Sequence, residues 1–221
     1  MFTTLHSSNL FKARAVCNRG YVPNQINMKK LTVILLLTLV VFTANAQEAP
    51  EGLFINSKAP DFKGKDQFGK DIRLKDAIKQ GKVVLVFYRG HWCPFCNRQL
   101  KKLEDSLQFI KDKGATIIAV SPEKPESVSK TIDKTKAEYS VLYDEGLKIM
   151  KAYEVDYEVQ ENTITRYRNT GIDLEKTNGK DWKFLPVPAV YIIDKEGKIT
   201  YRFFDADYKK RPSVQEILKN L

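Results

Sequence analysis

Residues 83–96, VVLVFYRGHWCPFC, decide the fold of this chain. Residues 83–88 are an unbroken apolar run rich in β-branched side chains, which predicts a strand buried on both faces. Residues 94–113 predict a helix, because apolar side chains recur along them at spacings of four and three. A Cys-x-x-Cys pair that follows a buried strand and opens a helix is a strong indication of thiol redox chemistry.

The two cysteines of this pair should differ in reactivity. A helix N-terminus exposes unpaired N–H groups and carries positive partial charge, which stabilises a thiolate there. Pro94 suits the first helical position because it has no N–H to lose. We expect Cys93 to be the more exposed thiol, and Cys96, one turn further along the apolar stripe, to be less exposed. One exposed thiolate and one sheltered thiol is what a dithiol exchange cycle needs.

Three neighbours of the cysteines have two interpretations each. His91 is either a neutral surface residue or, if charged, a group that favours the Cys93 thiolate. Arg89 is either a solvated charge or a thiolate stabiliser. Trp92 is more typical of a packing residue than of a substrate platform, although next to Cys93 it can be both.

Two other uses of the cysteine pair are disfavoured. Cys93, Cys96 and His91 supply at most three metal ligands, whereas structural zinc takes four, so we predict no metal. An inert structural disulfide is disfavoured because a bridge across two residues closes too small a loop to constrain the unfolded chain. The predicted redox group is the Cys93–Cys96 disulfide itself, without a further cofactor.

Composition and charge exclude several classes. The chain has 221 residues, of which 43% are hydrophobic and 29% charged, an ordinary globular mixture. The net charge is +10, but residues 1–46 hold five basic residues and no acidic one, so the remainder carries only about +5. The other lysines are interleaved with acids, which is typical of a solvated surface, and we predict no nucleic-acid binding.

The N-terminal region predicts export. Lys29 and Lys30 precede a twelve-residue apolar run at 31–42, and Ala44-Asn45-Ala46 is a small-x-small cleavage signal. Residues 31–46 are fewer than the roughly 20 apolar residues that a helix needs to cross a bilayer, so a signal peptide is favoured over a transmembrane anchor. We expect a signal peptide that starts at Met28, contacts the membrane only during export and is cleaved after Ala46. Residues 1–27 would then reflect an upstream start codon. The protein would work in the periplasm or cell envelope.

The mature chain, residues 47–221, reads as one α/β domain. A hairpin is predicted over 60–74, and residues 156–182 read as an insertion or long loop. Ser213 and Glu216 form a capping box for a final helix that ends at Leu221. The other predicted helices are 74–80, 126–137 and 147–153, and the other strands are 116–120, 140–143, 189–193 and 199–204. This order predicts a central mixed sheet flanked by helices.

Several motifs resemble the AhpC/TSA superfamily of peroxiredoxins and thioredoxin-like proteins, over nearly the whole mature chain. They are FYRGHWCPFC (87–96), APDF (59–62), VSPE (120–123) and YIIDKEG (191–197). GIDL (171–174), LPVPA (185–189), DADY (205–208) and RP (211–212) resemble the peroxiredoxin-like subgroup with a CxxC. The resemblance implies a thioredoxin-like fold with an N-terminal β-hairpin. It also implies that Pro188 is a cis-proline facing the CxxC turn.

The sequence departs from the family pattern at the peroxide-binding positions. A typical peroxiredoxin has Pro seven residues and Thr three residues before its peroxidatic cysteine. If Cys96 is that cysteine, these positions hold Arg89 and Cys93. The family's distant arginine aligns near Pro188. Thioredoxins carry a buried acidic residue six residues before the first cysteine, and this chain has Phe87 at that position.

Two chemistries and one non-enzyme function remain. In disulfide exchange, which the replaced peroxide-binding groups favour, Cys93 attacks a protein or small-molecule disulfide and Cys96 resolves the mixed disulfide. In peroxide reduction, Cys96 attacks a hydroperoxide and Cys93 condenses with the sulfenic acid. Either cycle needs a thioredoxin-like electron donor. The third function is a copper-handling module that uses Cys93, Cys96 and His91, against which the absence of a second histidine from residues 47–221 argues.

Overall fold

A computed structural model describes residues 49–221 of the chain. The five strands of its central sheet are β3 (Lys82–Phe87), β4 (Ala115–Ser121), β5 (Ser140–Tyr143), β8 (Ala189–Ile193) and β9 (Ile199–Phe204), in the order β5-β4-β3-β8-β9. β3, β4 and β5 are parallel, whereas β8 is antiparallel to β3 and β9 antiparallel to β8. The predicted central mixed sheet is confirmed.

The sheet is covered on both faces by helices. They are α1 (Leu74–Gln80), α2 (Pro94–Asp105), α3 (Leu107–Asp112), α4 (Pro125–Thr135), α5 (Lys148–Ala152) and α8 (Val214–Asn220). Alternate side chains of β3 enter two different apolar clusters. Val84 and Val86 belong to the first cluster, and Val83, Leu85 and Phe87 belong to the second. Burial on both faces is why this strand reads as a continuous apolar run rather than an alternating one.

An antiparallel hairpin precedes the sheet, as the sequence predicts. β1 (Lys63–Lys65) pairs with β2 (Asp71–Arg73), and the turn is held by Asp66. Its Oδ1 accepts hydrogen bonds from the backbone N–H groups of Phe68 and Lys70, both at 3.0 Å. The predicted signal peptide and cleavage site lie outside the described residues. Within 49–221, none of the helices has the length and apolar character needed to span a bilayer.

The single helix predicted over 94–113 is in fact two helices, α2 and α3. Ser106 separates them with φ −114° and ψ 11°, and its N–H bonds to the carbonyl of Leu103, three residues back. The apolar stripe continues across the break, since Leu103, Leu107 and Ile110 are all buried. The side-chain periodicity therefore does not reveal the change in backbone.

Residues 156–182, which we call the cap segment, are not a long loop. They contain β6 (Asp156–Glu158), α6 (Glu161–Asn169), α7 (Leu174–Asn178) and a 3₁₀ turn (Gly179–Asp181). β6 pairs with β7 (Phe184–Pro186), just beyond the cap segment. A small apolar cluster stabilises the segment, made of Val159, Ile164, Leu174 and Leu185. The prediction of a loop is wrong because these elements are short and bury few apolar side chains, which leaves no clear period in the sequence.

Candidate active site

The turn between β3 and α2 carries the cysteine pair. Cys93 is the residue before α2, and its N–H donates to the carbonyl of Gly90 at 3.0 Å. Gly90 has φ +148°, and a Cβ there would lie 2.6 Å from Trp92 Nε1 and 3.1 Å from Glu123 Oε1. Only glycine permits this close approach, because a side chain would be both strained and in collision.

Both cysteines are free thiols, and both are buried. Cys93 is 1% exposed and Cys96 0%, so the expectation that Cys93 faces solvent is wrong. Cys93 is buried because residues distant in sequence pack against the turn. The ring centroid of Tyr167, in the cap segment, lies 5.2 Å from that of Trp92, and the centroid of Tyr208 lies 5.8 Å from that of Phe95. Elements far away in sequence thus cover the turn from two sides.

The two thiols nevertheless differ strongly in acidity. The pKa of Cys93 is lowered to about 6, first because Cys96 donates a hydrogen bond to it, and further by the charges of Arg89 and Arg211. The pKa of Cys96 is raised well above its ordinary value, mainly by burial and also by donating to Cys93. The site therefore favours a thiolate at Cys93 and a protonated thiol at Cys96, and this difference in acidity has the direction that the sequence predicts.

Arg89 is a buried cation and not a solvated charge. Its side chain is 2% exposed, and its guanidinium donates to the hydroxyl of Tyr167. The guanidinium carbon lies 4.3 Å from the ring centroid of Tyr208 and 4.9 Å from that of Trp92, within the range of cation–π attraction. Burial disfavours the charged form, but the phenols of Tyr157 and Tyr167 offset it, so the pKa of Arg89 is raised.

Arg211 is a second cation at the site, and sequence reasoning missed it. Its Nη2 lies 3.5 Å from Cys96 Sγ, and the backbone N–H of Arg89 approaches the same sulfur at 3.5 Å. Arg211 is 115 residues from Cys96, and a single arginine in a polar tail carries no local signal of such a contact. In the sequence, the only feature that drew attention to Arg211 is the RP motif at 211–212, which resembles the peroxiredoxin-like subgroup.

His91 is engaged by a buried carboxylate. Glu123, which is fully buried, accepts at Oε1 from the backbone N–H of His91 at 2.7 Å and lies 2.6 Å from its Nδ1. Thr131 Oγ1 donates to Oε2 of the same carboxylate at 2.7 Å. These bonds fix the turn to the segment that follows β4, and the charges that lower the pKa of Cys93 are those of Arg89 and Arg211.

The remaining predicted site residues lie around the same turn. Trp92 is half-buried and packs against both the main core and the apolar cluster of the cap segment, so its packing role is observed. Pro94 is the first residue of α2. Pro188 is buried and immediately precedes β8, whose first residue, Ala189, pairs with Phe87 at the end of β3. The register thus places Pro188 beside the start of the cysteine turn.

No group of three or more His, Cys, Asp or Glu side chains suited to a metal ion occurs within residues 49–221. His91 is the third ligand that the copper-handling alternative needs, and its Nδ1 is in hydrogen-bond contact with Glu123 Oε1. The copper-handling alternative therefore gains no support from the side chains described.

The chain is similar to two kinds of thiol enzyme. It is 26% identical over 162 residues to the thiol-disulfide oxidoreductase ResA of Bacillus cereus, covering 73% of this chain and 76% of that protein. It is 28% identical over 167 residues to the peroxiredoxin Bcp of Bacillus subtilis, covering 76% and 94%. These relatives confirm the predicted enzyme class, a thiol-dependent oxidoreductase.

Solved structures confirm the fold. The peroxidoxin BcpB from Mycobacterium tuberculosis matches with a TM-score of 0.57 at 19% identity, over 75% of this chain and 94% of that chain. The model of the AhpC/TSA family matches residues 55–202, which include the cysteine turn, the cap segment and the central sheet as far as the middle of β9. The chain therefore belongs to the AhpC/TSA family.

Proposed function

We propose that this protein is an exported thiol–disulfide oxidoreductase in which Cys93 is the attacking thiolate and Cys96 the resolving thiol. The observation that carries the proposal is the opposite shift of the two thiols: the pKa of Cys93 falls to about 6, while that of Cys96 rises. A nucleophile that is ionised at neutral pH beside a protonated partner fits disulfide exchange.

The proposed exchange has two steps. The Cys93 thiolate attacks one sulfur of a substrate disulfide, and the other substrate sulfur leaves as a thiolate. Cys96 then loses its proton and attacks Cys93 Sγ, which forms the Cys93–Cys96 disulfide and releases the second substrate thiol. Two electrons pass from the protein to the substrate. A thioredoxin-like donor restores the dithiol by the same exchange in reverse, in keeping with cell redox homeostasis.

Burial restricts which disulfides reach Cys93. With its side chain 1% exposed, Cys93 is closed to a rigid protein surface, so either the substrate is small or the cap segment moves aside. Arg89 acts on this step through the pKa of Cys93, because its charge stabilises the thiolate that attacks.

Single-cysteine variants test the assignment. Cys96→Ser should react with a model disulfide and accumulate the mixed disulfide on Cys93, because the resolving thiol is absent. Cys93→Ser should not react with the disulfide. Intact-mass analysis after rapid mixing reads out both, and a Cys93→Ser variant that exchanges as fast as the unaltered protein would contradict the assignment.

Hydroperoxide reduction with Cys96 as the peroxidatic thiol is a second candidate. The observation that favours it is the convergence of two N–H donors, from the Arg89 backbone and Arg211 Nη2, on Cys96 Sγ. Such donors could polarise a peroxide oxygen at that sulfur. This chemistry predicts that Cys93→Ser consumes one equivalent of hydrogen peroxide and yields a Cys96 sulfenic acid that dimedone traps. Failure of that variant to react removes this candidate.

Export is part of the proposal and rests on the charged and apolar pattern of residues 28–46. The mature protein should begin at Gln47. N-terminal sequencing of protein from the periplasmic or envelope fraction tests this, and soluble cytosolic protein that retains Met1 or Met28 would contradict it.

A further inference from the structure

Arg211 is a cation without an acidic partner at the redox site. None of the ion pairs within residues 49–221 includes its guanidinium. Its Nη1 donates to the carbonyls of Tyr208 and Lys210, and its Nη2 donates to Cys96 Sγ at 3.5 Å. The two carbonyls fix the position of the guanidinium, but they are neutral, so its charge remains available to an anion that forms at the sulfur.

The segment that carries this cation is folded on itself. We call residues 205–211 the arginine loop. The carboxylate of Asp205 accepts from the backbone N–H of Asp207 at 2.8 Å, and the carboxylate of Asp207 accepts from the N–H of Lys209 at 3.0 Å. These side-chain-to-backbone bonds hold the turns of the loop, and the loop holds Arg211. A donor that is already in place needs little reorganisation when charge develops beside it.

The sulfur that Arg211 contacts has donors around it but no base. Cys96 Sγ also accepts from the backbone N–H of Arg89 at 3.5 Å, and the side chain is fully buried. The hydrogen bonds within residues 49–221 bring no carboxylate or imidazole to this sulfur. A buried thiol loses its proton readily only where the resulting negative charge is stabilised, so the two N–H donors suit the thiolate form of Cys96.

The balance of charge at Cys96 changes during the proposed cycle. Burial, and then the hydrogen bond to Cys93 and its negative charge, raise the pKa of Cys96. The charge of Arg211 and the N–H of Arg89 lower the same pKa. Once Cys93 is part of a mixed disulfide it is no longer a thiolate, so both of its raising effects end. The effects of the two arginines remain, and Cys96 becomes more acidic when it has to react.

We propose that Arg211 is a catalytic residue of the second step of disulfide exchange, where it stabilises the thiolate that Cys96 forms. In this step Cys96 loses its proton and its sulfur bonds to Cys93 Sγ. The bond between Cys93 and the substrate breaks, and the substrate sulfur leaves as a thiolate that takes up a proton. The side chain of Arg89 serves the first step, so the two arginines divide the reaction. The inference rests on the proposed function and assigns one step within it.

The two steps are separated by 4,4′-dithiodipyridine, a small uncharged disulfide whose halves are released as absorbing thiopyridone. Attack by Cys93 on this reagent releases the first equivalent, and resolution by Cys96 releases the second. The pKa of Cys93 is about 6, so at about pH 8 this thiol stays ionised when Arg211 is replaced. In stopped-flow measurements, Arg211→Gln should change the first phase by less than about threefold and slow the second about tenfold or more.

Lys209→Gln is the matched control, because Lys209 is an exposed cation of the same arginine loop. It should leave both phases unchanged. A second phase as fast in Arg211→Gln as in Lys209→Gln would overturn the inference and leave the proposed function standing. An unaltered protein that releases no second equivalent would lack the resolving step, and this result would overturn the proposed function together with the inference.

Chemical rescue separates the charge of Arg211 from its effect on the position of the loop. Arg211→Ala leaves space for a guanidinium ion beside Cys96. Guanidinium chloride, at concentrations too low to unfold the protein, should speed the second phase of this variant and leave the first unchanged. Sodium chloride at the same concentration should change neither phase. If guanidinium does not speed the second phase, its slowing comes from a displaced loop, and the catalytic role of Arg211 is overturned.

Discussion

His91 Nδ1 lies 2.6 Å from Oε1 of Glu123, a carboxylate that is fully buried behind the cysteine turn. The contact joins the turn after β3 to the end of β4, and the carbonyl of His91 accepts further bonds from Asn97 and Lys134. A buried charge is costly unless it is fully bonded, and Glu123 is bonded at both oxygens. The position of Cys93 thus depends on a polar network as well as on apolar packing.

Replacing Glu123 with Gln should destabilise the protein by about 1–3 kcal/mol, because the new amide cannot accept at both former carboxylate oxygens. Urea denaturation of the reduced protein measures the change in the free energy of unfolding. The exposed Glu126→Gln, in the first turn of α4, is the control and should change stability by less than about 0.5 kcal/mol. A Glu123→Gln variant as stable as this control would contradict the role of the network.

The Cys93 thiolate should titrate with a pKa of about 6 in the reduced protein. Cys96→Ala should raise this pKa, since the hydrogen bond from Cys96 is the largest cause of the lowering. Thiolate absorbance near 240 nm, followed against pH, measures both values. A titration of Cys93 at the ordinary thiol pKa in the unaltered protein would contradict the electrostatic account.

The stability of the reduced protein should depend on pH through the same group. The folded-state pKa of Cys93 is depressed, so the folded state holds the thiolate while the unfolded chain still binds a proton. The resulting stabilisation is complete above the ordinary thiol pKa of about 9 and is lost as the pH falls through about 6.

The measurement is the free energy of unfolding of the reduced protein minus that of Cys93→Ser, determined at pH 5 and pH 9. The difference should be larger at pH 9. An equal difference at both values would show that Cys93 is not ionised preferentially in the folded state.

Tyr167→Ala should expose the cysteine turn, because it removes the ring that packs on Trp92 and the hydroxyl that accepts from Arg89. Alkylation of Cys93 by a bulky maleimide should become faster by about tenfold, because less of the structure must open before the reagent reaches the thiol. Tyr143→Ala, which changes a tyrosine that lines a different cavity, should leave the rate unchanged. Equal rates in the two variants would show that the cap segment does not limit access.

The sequence by itself determined the architecture and the place of the cysteine pair at the start of a helix. The apolar run at 83–88 and the cysteine pair that follows it are local patterns, and local patterns report strand burial and a helix N-terminus directly. They also predict that Cys93 is the more acidic thiol, but from its place at a helix N-terminus, whereas the largest cause of its lowered pKa in the structure is the hydrogen bond from Cys96. The order of strands and helices was sufficient for the mixed sheet.

Only the tertiary structure decided how the thiols are covered and which charges reach them. Arg211 and Tyr208 belong to the segment between β9 and α8, Tyr167 belongs to the cap segment, and Glu123 follows β4. These contacts join residues that are 32 or more positions apart in the chain, and their side chains carry no periodicity that would reveal the partner. Exposure and charge at a site are sums over everything that packs against it, so the burial of Cys93 could not be read from its own segment.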